Sequence, residues 1–448
     1  MKVQIFRKWD SVRSSFWFLP TIMASGAMVM AFVSVAVDKP VTNWLALNWD
    51  WAFTGGAEGA SALLGAIAGS MITIAGVVFS MTLVALSLAS SQLGPRLLRN
   101  FMRDTTTQTV LGTFVATFLY CLIVLRTIRR AEEILFVPHL SVTLGVLLAV
   151  VSVGVLIYYI HHVSVSIQVN EIVARVGKEL IEGIERLFPE SIGEGVPRSP
   201  TEPLDVGFLD TFGRDARPIG AARDGYLRFV DGDALMALAM EEDIVIRLER
   251  RPGHYVVATR PLVWVWPGNR VNDQLSDSIN SAFALGNQRT PGQDIEFAVN
   301  QLVEIAIRAL SPGVNDPFTA ITCVDHLGSA LCRLAQREMP SPYRHDSEDK
   351  LRVITPIFTF KDVTDTAFNQ IRQYGRSSSA VTSRLLETII VVAGCVHRPE
   401  DRAALLRQAQ MIARGACDGL LEVEDRQKVE DRFQSANQLL SESPDSNL

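Results

Sequence analysis

Four long runs without Asp, Glu, Lys or Arg crowd the first 170 residues, at 14–37, 59–95, 105–125 and 134–170. A helix needs roughly 20 mostly apolar residues to cross a hydrocarbon core of about 30 Å, because its backbone must satisfy its own hydrogen bonds there. The pattern therefore predicts a membrane region over residues 1–165, with spans at about 16–37, 62–90, 109–128 and 139–162. A basic start before an apolar run also suits a secretory leader, but this run is about twice the usual length. It is read as a retained first span.

Charge supports the division. The chain carries 42 Lys+Arg and 48 Asp+Glu, net −6, a near balance that argues against a nucleic-acid partner. Of these, 11 basic and 7 acidic residues (+4) lie in 1–165, leaving 31 and 41 (−10) beyond. Basic residues gather at the amino terminus (Lys2, Arg7, Lys8, Arg13) and in the second connection (Arg96, Arg99, Arg103). The first connection has only Lys39 against Asp38, Asp50 and Glu58, and the third mixes Arg129 and Arg130 with Glu132 and Glu133. The positive-inside rule then puts both termini and everything after the fourth span in the cytoplasm. Trp44, Trp49 and Trp51 fall at the outer interface, Phe16, Trp17 and Phe18 at the inner one. Cys121 lies in a span, and Cys323, Cys332, Cys395 and Cys417 fall on the reducing side without zinc-ligand spacing, so neither disulfides nor a metal is expected.

The second span is the most informative. At helical spacing Gly65, Gly69, Thr73, Gly76, Ser80, Ser87 and Ser91 form one stripe of glycines and hydroxyls. Small residues allow close backbone packing between membrane helices. The same stripe can instead line a wet path in an oligomer, where hydroxyls and carbonyls replace water around a solute. Both readings stand at this point. No ionisable residue interrupts the span, which disfavours a proton relay. Gly94-Pro95 ends it, and Arg96, Arg99 and Arg103 follow, as lipid anchors or as a cationic inner mouth.

The predicted fold is mainly α: a four-helix transmembrane region followed by a cytoplasmic domain with a small α+β unit and a larger helical part. Residues 166–188 read as a helical stalk, with Val169, Val173, Val176, Leu180, Ile184 and Leu187 packing on neighbouring copies or on their own domain. Residues 189–224, rich in Pro and Gly, read as a linker, 225–268 as the α+β unit, 269–436 as helical, and 437–448 as a disordered tail. Within the helical part, Asp294, Gln301, Glu304 and Arg308, with Asn315 and Asp316 after the next turn, form a candidate polar cluster. Glu304 and Arg308 stand four apart in the favourable order for an ion pair.

Phosphate loops, dinucleotide fingerprints, nucleophile elbows and zinc motifs are all missing from the sequence. No catalysis and no cofactor are expected. An enzyme would need a pocket gathering Asp294, Glu304, Asp316, Asp325 or His326 around one point.

Two stretches carry a resemblance: Phe79-Ser80-Met81-Thr82-Leu83-Val84-Ala85-Leu86 with Ser90-Ser91-Gln92-Leu93-Gly94-Pro95-Arg96, and Arg308-Ala309-Leu310-Ser311-Pro312-Gly313-Val314-Asn315-Asp316-Pro317-Phe318-Thr319-Ala320. They resemble a bacterial predicted-membrane-protein family, domain of unknown function twenty-two fifty-four, over nearly the whole chain. The resemblance implies a multi-span bacterial inner-membrane protein and no particular activity or site. The expectation drawn from the residues is a homo-oligomeric channel or conduit in the lipid bilayer, gated by a cytoplasmic domain of unknown ligand. The alternative is a membrane-anchored sensor or scaffold.

Overall fold

The computed structural model describes residues 16–48, 56–94, 104–128, 136–166, 168–188 and 206–441, and the chain divides into two compact units after Gln168.

Among the described residues the first unit is four helices, successive ones running in opposite directions: α1 (Phe18–Asn48), α2 (Ala57–Leu93), α3 (Thr105–Thr127) and α4 (His139–Ser166). Each is long and apolar enough to cross a membrane. Both α1 and α2 run past the predicted span ends, because hydropathy marks only the lipid-facing part while backbone bonding carries the helix onward. Half of the apolar window of α3 is buried, against about a fifth in the other three, so α3 is the centre of the bundle. Gly112 makes that possible. A Cβ there would sit 2.6 Å from Met23 Sδ and 3.2 Å from Pro20 Cα, so only glycine lets α1 lie this close to α3. Gly145 of α4 does the same against Leu64, Cys121 and Tyr120. The outward faces of α1 and α4 present large apolar side chains, among them Val29, Phe32 and Val33, and Leu147, Val150 and Ile157. Such faces suit acyl chains.

In the second unit α5 (Val169–Leu187) comes first. Its apolar face, Ile172, Val173, Val176, Leu180 and Ile184, is buried against α9 (Ile295–Ala309) and α10 (Pro317–Ala335). The near-heptad repeat is thus used within its own domain, the second of the two readings of the stalk. Gly177 meets the His326 ring, where a Cβ would lie 2.4 Å from Nδ1.

Residues 189–205 lie outside the described residues, but the rest of the predicted linker is structured. It holds α6 (Val206–Asp215) and β1 (Arg217–Gly220). The strand escaped notice because Pro218 argues against a ladder, yet β1 is an edge strand, where a missing N–H costs little. After it come β2 (Gly225–Val230), α7 (Gly232–Glu241), β3 (Val245–Leu248), β4 (Tyr255–Val256) and β5 (Pro261–Trp266), close to the expected segments. The predicted helical region is also interrupted. It contains α8 (Asp273–Ser281), β6 (Phe283–Gly286), β7 (Tyr343–His345) and β8 (Leu351–Ile354), strands too short to reveal a period of two.

Two sheets result, one in the order β1-β5-β3-β8-β7 and one in the order β4-β2-β6. Among the described residues only β3 and β8 pair in parallel. The apolar β5 buries Leu262, Val263 and Val265, while the Arg247 guanidinium stacks over Trp264 at 5.8 Å and Phe212 at 5.0 Å, sheltering the other face.

The remaining helices are α11 (Phe360–Gly375), α12 (Ser379–Ala393), α13 (Pro399–Gly419) and α14 (Val423–Ser441). Helix α14 takes in the first residues of the predicted tail, and 442–448 lie outside the described residues.

Candidate functional site: the membrane bundle and its outward stripe

Two carboxylates brace the bundle at opposite ends. Asp38 of α1 is fully buried and accepts from Leu140 N (2.9 Å), Ser141 N (2.8 Å) and Ser141 Oγ (2.5 Å), so one helix caps the start of another. The first N–H groups of α4 have no partner in their own helix, and a carboxylate there also meets the positive end of the helix dipole. At the other end Asp104 caps α3, accepting from Thr106 N (3.1 Å) and Thr107 Oγ1 (2.7 Å), and pairs with His162 Nε2 of α4 at 2.9 Å. Sequence reasoning counted Asp38 only as a flanking charge. A cap supplied from a distant helix leaves no local signal.

Between these ends the interior is stitched by hydroxyls. Tyr120 OH donates to Ser141 O (3.0 Å) and meets Ser34 Oγ (3.0 Å), Tyr159 OH donates to Val78 O (3.0 Å) and meets Thr82 Oγ1 (2.9 Å), and Thr117 meets Ser152 at 3.1 Å. These bonds join different helices. They are the buried polar contacts that membrane helices use for cohesion.

The predicted stripe does something else. Ala60, Leu64, Ala68, Met71, Ala75 and Val78 form the face of α2 that is buried in the bundle. Gly69, Thr73, Gly76, Ser80 and Ser87 are exposed on the outside, with Gly65 half-buried, and a Cβ built on Gly65, Gly69 or Gly76 would meet nothing within 4 Å. Close packing between helices of the bundle falls to Gly112 and Gly145 instead. Thr73, Gly76, Ser80, Met81 and Val84 line an open groove along this face. The Ser91 side chain and Arg96, Arg99 and Arg103 lie outside the described residues.

The predicted polar cluster of the second unit is not one site. Asp294, only 3% exposed, caps α9 through Phe297 N (3.1 Å) and takes a two-pronged bond from Arg289, at 2.7 Å from Nε and 2.8 Å from Nη2. Burial pushes its carboxyl above the ordinary range although Arg289 pulls it down. Asp316 stands beyond the opposite end of the 15-residue α9, roughly 22 Å away along the axis, and caps α10 through Thr319 N (3.1 Å). Asn315 beside it adopts φ 51°, a left-handed turn that Asn tolerates. Glu304 and Arg308 pair at 3.6 Å, and Gln301 is buried on the same helix. Asp294, Glu304, Arg308, Asn315 and Asp316 each have a local structural duty. The residues an enzyme would need are equally dispersed: Asp325 binds Arg384 Nε at 2.6 Å, while His326 packs on Gly177.

Comparison with known proteins agrees with this architecture. The family model described as "Predicted membrane protein (DUF2254)" matches residues 13–390. An uncharacterized protein of Mycobacterium bovis is 33% identical over 433 residues, which cover 94% of this chain and 80% of that protein, and one from Mycobacterium tuberculosis is similar to the same extent. No solved structure matches the chain.

Proposed function

This chain belongs to the DUF2254 family of predicted membrane proteins, and from that premise we propose that it is a homo-oligomeric conduit for ions or small solutes in the bacterial inner membrane, with both termini cytoplasmic. The observation that carries this reading is the outward direction of the Gly65-to-Ser87 stripe. The rest of the outward surface, Val77, Met81 and Val84 beside the stripe included, offers lipid large apolar side chains. Glycines and hydroxyls offer acyl chains little to pack on, whereas a second α2, or water along an axis between copies, satisfies them. The hydroxyl bonds that close the interior of one chain favour a path between copies over a path through one. In this reading the acidic second unit acts as the gate, and neither catalysis, cofactor, metal nor nucleic acid enters.

Electrical recording of the purified full chain in planar bilayers tests the proposal, alongside its mass in mild detergent. Conductance that Ser80→Leu and Ser87→Leu abolish without changing oligomer size is the expected result. Assembly lost in both variants marks the stripe as a packing seam. Silent bilayers from a monomeric wild type overturn the conduit and leave the membrane-anchored sensor or scaffold.

A further inference from the structure

The six helices α9 to α14 have two unlike ends. The sheets are joined to one of them, because β6 precedes α9 and β7 and β8 lie between α10 and α11. At the other end α9, α11 and α13 finish and α10, α12 and α14 begin. Leu310 Cδ1 lies 3.6 Å from a Cβ placed on Gly375, Arg376 O 2.5 Å from one placed on Gly419, and Ser379 Oγ donates to Asp425 at 3.0 Å, so the three connections 310–317, 375–379 and 419–423 are neighbours.

This end exposes several large apolar side chains. Val314 is 56% exposed, Phe318 77%, Tyr374 57%, Leu421 92% and Val423 69%. Single exposed hydrophobes are ordinary, but five on adjacent connections at one end of a domain mark an interaction surface.

Helix α5 identifies what covers it. Arg186, near its last residue, donates to Gly292 O (3.0 Å) just before α9 begins, and Gly177 faces His326, about as far into α5 as His326 is into α10. Thus α5 runs antiparallel to α9, and its first residue, Val169, lies at the end that exposes these side chains. Only Ile167 and Gln168 separate Val169 from Ser166, the last residue of the apolar α4. Three Cα steps reach at most about 10 Å, so the chain itself ties this end to the place where a membrane helix leaves the bilayer.

We propose that the 310–317, 375–379 and 419–423 connections and the helix ends beside them insert Val314, Phe318, Tyr374, Leu421 and Val423 into the lipid headgroup layer, making this end of the second unit a membrane-docking surface. The association is apolar rather than electrostatic, because exposed Arg376 and Arg414 are outweighed by Asp418, Glu422 and Glu424, which leaves no attraction for anionic lipid. It rests on the membrane-spanning helices and not on conduction.

The full chain, with Cys332, Cys395 and Cys417 changed to Ser, is labelled with an environment-sensitive fluorophore at Phe318→Cys or Leu421→Cys, and at Glu338→Cys on the sheet end as control. It is placed in phosphatidylcholine nanodiscs at one chain per disc, with nitroxide carried near the lipid headgroup. Quenching several-fold stronger at 318 and 421 than at 338, unchanged in high salt, is expected. Equal quenching at the three sites overturns the proposal. So does an apolar shift at 318 and 421 that arises only with several chains per disc, which would assign the surface to a second copy.

Discussion

Asp38 holds Ser141 by three-point recognition of a helix start: its carboxylate accepts the Ser141 backbone N–H and hydroxyl while its other oxygen takes Leu140 N–H, across 103 positions of sequence. Asp38→Ala removes the acceptor from three buried donors at once. A loss of roughly 3 kcal/mol or more in unfolding free energy is expected, with Asp38→Asn losing less because it keeps one oxygen. Denaturant titration in mild detergent measures both, and an Ala variant as stable as the wild type would refute the cap.

The glycines of the bundle divide into two kinds, and substitution separates them. Gly112→Ala drives a Cβ against Met23 and the Pro20 backbone and is expected to destabilise the fold by about 1–3 kcal/mol. Gly76→Ala meets open space, so the unfolding of one chain should not suffer, and any change should appear in oligomer mass. Equal destabilisation by the two would contradict the outward stripe.

Gly253 sits at φ +95° in the turn before His254, and a Cβ there would lie 2.4 Å from Asp294 Oδ2. Both the backbone and the buried ion pair oppose a side chain. Gly253→Ala is expected to cost more than about 3 kcal/mol, beyond the roughly 1–3 kcal/mol that the left-handed backbone alone explains. In the Asp294→Ala background, which removes the atoms that a Cβ would strike, the penalty should fall, and a double-mutant cycle reads the difference.

The His254 imidazole is half-buried beside Arg251, and burial first, then that cation, holds its pKa below the ordinary 6.5. The unfolded chain therefore binds more protons than the folded one between the lowered pKa and about 6.5. Stability must rise with pH across that window and fall on acidification. His254→Gln should flatten this part of a melting-temperature profile, and an unaltered slope would remove His254 as its source.

The four spans were legible because crossing a bilayer imposes length and continuous apolarity on the sequence itself. The short strands of the second unit were partly legible: β2, β3 and β5 show β-rich runs, whereas β1 hides behind Pro218, and β7 and β8 have too few residues to show alternation. The polar line of α9 was visible at helical spacing, but spacing cannot distinguish a ligand site from Asp294 capping its own helix and binding Arg289.

By itself the sequence determined which part is built to cross a bilayer, since transfer of apolar groups between water and lipid depends on composition over some 20 residues and little on partners. It also placed glycines and hydroxyls on one stripe of α2, because helical geometry fixes which positions share a face. Only the tertiary structure decided that Leu64 and Met71 turn inward and Gly69 and Ser80 outward, that Asp38 caps a helix a hundred positions away, and that the apolar connections share the end at Val169. Those outcomes depend on which surfaces of distant helices fit together, and close packing is a property of pairs that no single segment records.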